Sequence, residues 1–320
     1  MTETFDSFAL VAIYSAMGVY VVAFIFFTLD LAKRSADAKP AAITASVGQN
    51  AAVGGRATVA TLEAEAEAVA APPRRVERVA FSLTVLAWAL HVVGAVLRGL
   101  ADGHVPWSNM FEFSLVSSAI AVGVFLFLQF WQDLKFLGTY ITGFALIVLG
   151  VGTVNFYVPV TPLPPALQSY WLIIHVFVAT LGTGFFAVGA GLSLIQLLQS
   201  RREADKTSRL KFLGTLPQAD KLENLAYRVI VVGFVFWTFT LIAGSIWAFH
   251  AWGRYWGWDT KEVWTFIIWV LFAGYIHARA TRGWRGTRSA WLAIIGFGAV
   301  AFNYTIVNLF FKGLHVYSGL

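Results

Sequence analysis

The sequence predicts an all-α protein that crosses a membrane about eight times, with both termini outside. Three observations predict this. Of 320 residues, 58% are hydrophobic and only 12% are charged, about half the charged share of a typical soluble domain. Apolar runs of about 20 residues recur along the chain, the length that crosses a hydrocarbon core. Basic residues also crowd into alternate loops. With the N-terminus outside, all 23 lysines and arginines except Arg98, Arg254, Lys261 and Lys312 fall on the cytoplasmic side, the asymmetry that orients membrane proteins.

The first span reads as Phe5–Leu31 within a first unit, residues 1–31. Glu3 and Asp6 lie at its start with no basic cluster, so a retained helix is expected rather than a cleaved signal peptide. Residues 32–78 are rich in alanine, with a run Glu63-Ala-Glu65-Ala-Glu67 and the pair Pro72-Pro73. They read as a mostly disordered cytoplasmic linker. The membrane domain then occupies residues 79–320. Its spans read as Val79–Leu100, Phe111–Trp131, Phe136–Tyr157, Tyr170–Leu198, Val229–Phe249, Glu262–Ala280 and Ser289–Phe311. Phe136–Tyr157 carries four glycines, which membrane helices use freely. Asn109 and Glu112 in "SNMFE" have the spacing of a capping box for the third span, and Asp259 and Glu262 have it for the seventh. Residues 200–228 are charged and read as partly helical along the membrane surface. There is no internal repeat.

Composition also excludes. The chain has no cysteine, so it forms no disulfide and does no thiol chemistry of its own. All 17 acidic residues lie in loops or at span ends. Ion-coupled carriers and proton pumps usually need a carboxylate in mid-membrane, so a solute carrier is disfavoured. Nothing in the chain points to nucleic acid.

Six histidines form the main reactive inventory: His91, His104, His175, His250, His277 and His315. His175 lies about one turn into the fifth span from outside, and His315 follows the eighth span by a few residues. The stretch "HAWGRYWGWDTKEVW", from His250 to Trp264, falls on the same side and holds Trp252, Trp256, Trp258 and Trp264. Two neutral imidazoles at one depth can ligate a metal axially, haem iron above all. Tryptophans beside them would hold a flat ring. From spacing alone the pair also admits two unrelated interfacial histidines, and tryptophan gathers at membrane interfaces in any case. His277 lies 15 residues past Glu262, so it belongs about 22 Å deeper, near the cytoplasmic boundary. It either snorkels there beside Arg279 or marks a second site. His91, inside the second span, reads as a hydrogen-bonding residue between helices. His104 and His250 are loop residues with no assigned role.

The segment "WGRYWGWDTKEVW" resembles the WWD signature of cytochrome c biogenesis proteins, specifically the CcsA/ResC family of the System II pathway. "SYWLIIHV", "GYIHARATRGWRG", "NLFFKGLHVYSG" and "GHVPWSNMFE" resemble other segments of that family in the same order, and the likeness runs from about Val79 to the C-terminus. The WWD loop alone would also admit the System I proteins CcmC and CcmF. Thr260 stands where the family usually has proline, and His250 where many relatives have asparagine.

The resemblance implies a membrane-bound haem-handling protein, the haem-binding subunit of a holocytochrome c synthase. Haem b would be both ligand and transferred substrate. His175 and His315 would be the outer axial ligands and His277 part of an inner haem site completed by a ResB-like (CcsB-like) partner. Trp252, Trp256, Trp258, Trp264, Asp259 and Glu262 would contact the cofactor, with no side chain named as acid or base. Apocytochrome c would bring the thiols of its C-x-x-C-H motif, kept reduced by separate thiol-reducing proteins. The expected location is a bacterial plasma membrane rather than a thylakoid, with the active site on the outer face. The alternatives are an electron-transfer cytochrome b subunit and a System I-like haem exporter without ligase activity.

Overall fold

The computed structural model describes residues 2–37, 75–204, 211–281 and 283–315, and among these there is helix but no strand. Eight helices are long and apolar enough to cross a membrane. They are α1 (Thr2–Asp37), α2 (Arg75–Asp102), α3 (Met110–Leu128), α4 (Gly138–Asn155), α5 (Tyr170–Ala204), α6 (Ala219–Trp252), α7 (Thr260–Ala280) and α8 (Thr287–Tyr304). A short helix α9 (Ile306–Phe310) continues α8 past a break at Thr305. The protein is therefore a polytopic, all-α membrane protein, as the hydropathy predicts.

Several helices outrun their apolar stretches. The 36, 35 and 34 residues of α1, α5 and α6 make rods of about 50 Å for a hydrocarbon core of about 30 Å. At the linker expected over 32–78, α1 continues through Asp37 and α2 begins at Arg75, while 38–74 lie outside the described residues. Arg34 explains the extension, since it bonds Asp30 one turn back and Glu77 of α2 at 2.7 Å. The segment 200–228, expected to be partly helical, is so among the described residues. α5 runs to Ala204 and α6 starts at Ala219, whose N–H donates to Glu203 at 3.0 Å. Residues 205–210 lie outside the described set.

In a bilayer, helices associate by close packing and interhelical hydrogen bonds rather than by the hydrophobic effect. α1 packs along α2 and α5 along α6, while α3 sits against α4 and α5, and α8 against α5 and α7. Gly152 of α4 lets the Ser114 side chain of α3 come so close that a Cβ there would lie 2.6 Å from it. His91 is fully buried, with Nε2 2.8 Å from the Leu115 carbonyl of α3 and Nδ1 3.4 Å from the Tyr20 hydroxyl of α1. It joins three helices, the role expected for it.

Charges gather at the two ends of the bundle. At the end holding the tryptophan loop, Arg98 is 1% exposed and ringed by Asp6 of α1 at 2.8 Å, Asp102 at 2.7 Å and Glu112 of α3 at 3.0 Å. At the other end, Arg279 of α7 meets Glu223 of α6 at 2.6 Å.

Candidate functional site

The site lies at the tryptophan-loop end, between α3, α4, α5, α6, α7 and α8. α6 stops at Gly253, which adopts a left-handed conformation with φ 72°, one that glycine reaches without strain. The chain then doubles back, and Asp259 caps α7 by accepting from the Lys261 N–H. Glu262 reaches back to the N–H groups of Asp259 at 3.0 Å and Gly257 at 2.8 Å. The capping box read from the sequence is present, and it folds the loop onto the start of α7. Trp258 takes a positive φ of 60°, an outlier for so bulky a residue.

His175 of α5 is held by its Nδ1–H, which donates to the Thr240 carbonyl of α6 at 3.1 Å. A carbonyl can only accept, so the proton sits on Nδ1 and the Nε2 lone pair is free. The ring stacks on Trp247, with centroids 5.7 Å apart and planes 8° from parallel. Gly244 makes the space: a Cβ there would lie 2.7 Å from the His175 ring. Trp247 is itself pinned through its indole N–H to the Ala166 carbonyl at 3.1 Å.

His315 approaches from the C-terminal segment after α9. Its Nδ1–H donates to Asp259 Oδ2 at 2.7 Å, and the N–H of Leu314 donates to Asp259 Oδ1 at 2.9 Å. Gly313 permits this grip, because a Cβ there would lie 2.3 Å from Asp259 Oδ1. The hydrogen bond from His315, with that from Leu314 behind it, holds the Asp259 carboxyl well below its usual range, at about 2. Again Nε2 is the nitrogen left over. The His315 ring lies edge-on to Trp247 at 5.4 Å and to Trp252 at 4.7 Å. One indole thus backs both imidazoles.

Both histidines line one cavity of about 400 Å³, within the size range of small-molecule and cofactor pockets. Its walls are mainly apolar, and among the described residues Lys261 is the only lysine or arginine on them. Lys261 Nζ donates to the Asn303 carbonyl at 2.7 Å and, among the described residues, has no carboxylate within salt-bridge distance.

A model of the family described as cytochrome C assembly protein matches residues 76–315, from the start of α2 to His315 itself. The chain belongs to the cytochrome c assembly protein family. Among individual relatives, the cytochrome c biogenesis protein CcsA of Trieres chinensis is 34% identical over 252 residues, covering 70% of this chain and 81% of that protein. The CcsA of Guillardia theta is 33% identical over 259 residues, with 76% and 86% covered. That of Synechococcus elongatus is 35% identical over 268 residues, with 69% and 81% covered. For this cytochrome c assembly protein, the matched region thus takes in every histidine and tryptophan singled out by the sequence, and leaves α1 outside.

Those residues do not all meet. Trp256 and Glu262 line the cavity with His175 and His315. Trp252 stands behind His315, Trp264 packs on Phe302 of α8 at 4.4 Å, and Trp258 is 75% exposed. Asp259 acts on His315 rather than facing the main cavity. His277 is exposed in the last turn of α7, at the opposite end of the bundle. His250 and His104 bond nearby carbonyls, those of Ile246 at 2.8 Å and Val105 at 2.9 Å. Sequence reading missed Trp247, Lys261 and Trp107 as parts of the site. Trp247 sits one turn before the quoted loop, inside an apolar span where it looks like any membrane tryptophan.

Proposed function

We propose that this protein receives haem within the membrane and holds it at the outer face for covalent attachment to apocytochrome c. The observation that carries this reading is the pair of free Nε2 atoms on one apolar cavity. Among the described residues, no cluster of three or more His, Cys, Asp or Glu side chains could hold a metal ion. Two imidazoles on one cavity suit a metal that brings its own equatorial ligands, and iron in a macrocycle is such a metal. Each imidazole also has the oxygen partner on its second nitrogen that metal-bound histidines usually have. The apolar walls fit a flat ring, and Lys261 Nζ offers a hydrogen-bond donor to an acidic substituent of that ring. The printed names of the relatives, cytochrome c biogenesis proteins, support the same reading.

Haem b is here the substrate. His175 and His315 ligate its iron, Trp247 and Trp252 fix the two rings from behind, and Trp256 closes one wall. Asp259 fixes the tautomer of His315, and Glu262 with Arg254 shapes the loop. The client's C-x-x-C-H motif supplies two thiols. Each adds across a vinyl group: a sulfur–carbon bond forms and the thiol proton goes to the neighbouring vinyl carbon, with no net redox change. The chain supplies position and a dry site, consistent with its having no cysteine. His277 belongs to an inner haem site, completed by a histidine of a ResB-like partner in a System II complex. The distribution of basic residues supports an outer-face active site, and a bacterial plasma membrane is the location we favour.

The test is to co-purify the full chain with its ResB-like partner and record the reduced haem spectrum and holocytochrome c yield. His175→Gly and His315→Gly should each drop holocytochrome c to background, with added imidazole restoring the spectrum. Full activity in both variants removes them as ligands. A haem that stays bound when apocytochrome c is added would favour an electron-transfer subunit instead.

A further inference from the structure

The two imidazoles are held in different ways, and the difference assigns them different parts. The histidine of the client motif must take one of the two axial positions on the iron before or during release. Something in this chain must let go.

His175 is built into the bundle. It lies in the first turns of a 35-residue helix that packs along its neighbour α6. Its ring is clasped between the Thr240 carbonyl, the backbone at Gly244 and the face of Trp247. To leave the iron it would have to break that hydrogen bond and move against packed helix backbone.

His315 stands outside any helix, five residues past the end of α9 at Phe310. Among the described residues, beyond the Phe311 N–H that closes α9 on the Val307 carbonyl, its segment is tied to the protein by two polar bonds, from His315 Nδ1 and from the Leu314 N–H, and both end on the one carboxylate of Asp259. Its ring meets Trp247 and Trp252 edge-on rather than by stacking. A small swing of residues 311–315 about the end of α9 would withdraw the imidazole and leave α6, α7 and His175 undisturbed. Short end segments hinged on a rigid scaffold are where such motions occur.

We infer that His175 is the retained ligand and His315 the exchangeable one, with Asp259 as the tether that sets how readily it leaves. This rests on the haem reading above. In the exchange the iron–Nε2 bond of His315 breaks and a bond to the client's imidazole forms. No electron is transferred.

Two experiments test it on the full chain with its membrane partner. The first is Asp259→Asn, which keeps a good N-cap for α7 but weakens the tether. Haem occupancy should fall severalfold, while single-turnover transfer to apocytochrome c, expressed per bound haem, should become several times faster. A fall in both together would mean that Asp259 only supports the site. The second works even if that variant binds no haem. Thr260→Cys with Phe311→Cys puts two thiols, the only ones in the chain, on a small gap lined by both positions. Bridging them with a short bis-maleimide pins the C-terminal segment. The bridged protein should keep the bis-imidazole spectrum and transfer haem at least tenfold more slowly than either single-cysteine variant treated alike. Transfer at the unbridged rate, with the spectrum intact, would overturn the assignment and make His175 the leaving ligand. Absence of a bis-imidazole spectrum in the unmodified protein would instead defeat the haem reading itself.

Discussion

α3 and α7 begin with similar caps, but the capping box expected from sequence at both closes only at α7. Before α3, Asn109 accepts the Glu112 N–H at 2.9 Å, and Glu112 reaches back to the N–H and hydroxyl of Ser108 at 2.9 and 2.7 Å. The second Glu112 oxygen goes to Arg98 at 3.0 Å. Every oxygen is consumed inside a buried knot. Before α7, Glu262 returns instead to the N–H of the cap residue itself, Asp259, at 3.0 Å, and Asp259 has capacity left to reach across to His315 and Leu314. One cap closes on itself; the other holds a proposed ligand. A capping pattern in sequence therefore locates a helix start and says nothing about what else the cap will grip.

The comparison can be broken most severely at the knot. Arg98→Met leaves Asp6, Asp102 and Glu112 without their shared cation, and losing one partner of a buried pair costs about 3–5 kcal/mol. Thermal unfolding in detergent should fall accordingly, and a change within error would show that water already solvates the cluster. The caps themselves give the sharper contrast. Asn109→Ala and Asp259→Ala should each cost about 1 kcal/mol as lost N-caps. Only Asp259→Ala should alter the haem spectrum at matched stability; equal spectral changes in both would erase the distinction. The smallest effect concerns Trp258, held at φ 60° and mostly exposed. Trp258→Gly should stabilise by about 1 kcal/mol or less, the relief of left-handed strain offset by glycine's chain entropy. If activity falls while stability rises, the strained indole serves the client or the haem.

The eight spans and the interhelical role of His91 were legible because apolar length and a lone polar residue inside it leave few options. The helix extensions were not. Hydropathy ends where polarity begins, whereas α1 continues to Asp37 with Arg34 paired to Asp30 of the same helix and to Glu77 of α2. In the site, His175, His315 and Trp256 could be picked out because the tryptophan loop and two histidines share one predicted depth. Lys261 could not. It reads as an outer-loop charge, and only the turn at Asp259 and the nearness of α8 carry it onto the cavity wall. Trp252 and Trp264 belong to the same quoted loop and still miss the cavity, since helical phase decides which side of α6 and α7 each one occupies.

The ion pairs that fasten α1 to α2 at both extremities, Asp6 with Arg98 and Arg34 with Glu77, make the polypeptide between them dispensable as a fastener. Two-fragment complementation follows: a gene split between codons 38 and 74 would yield two polypeptides that find each other in the bilayer and mate without a covalent join.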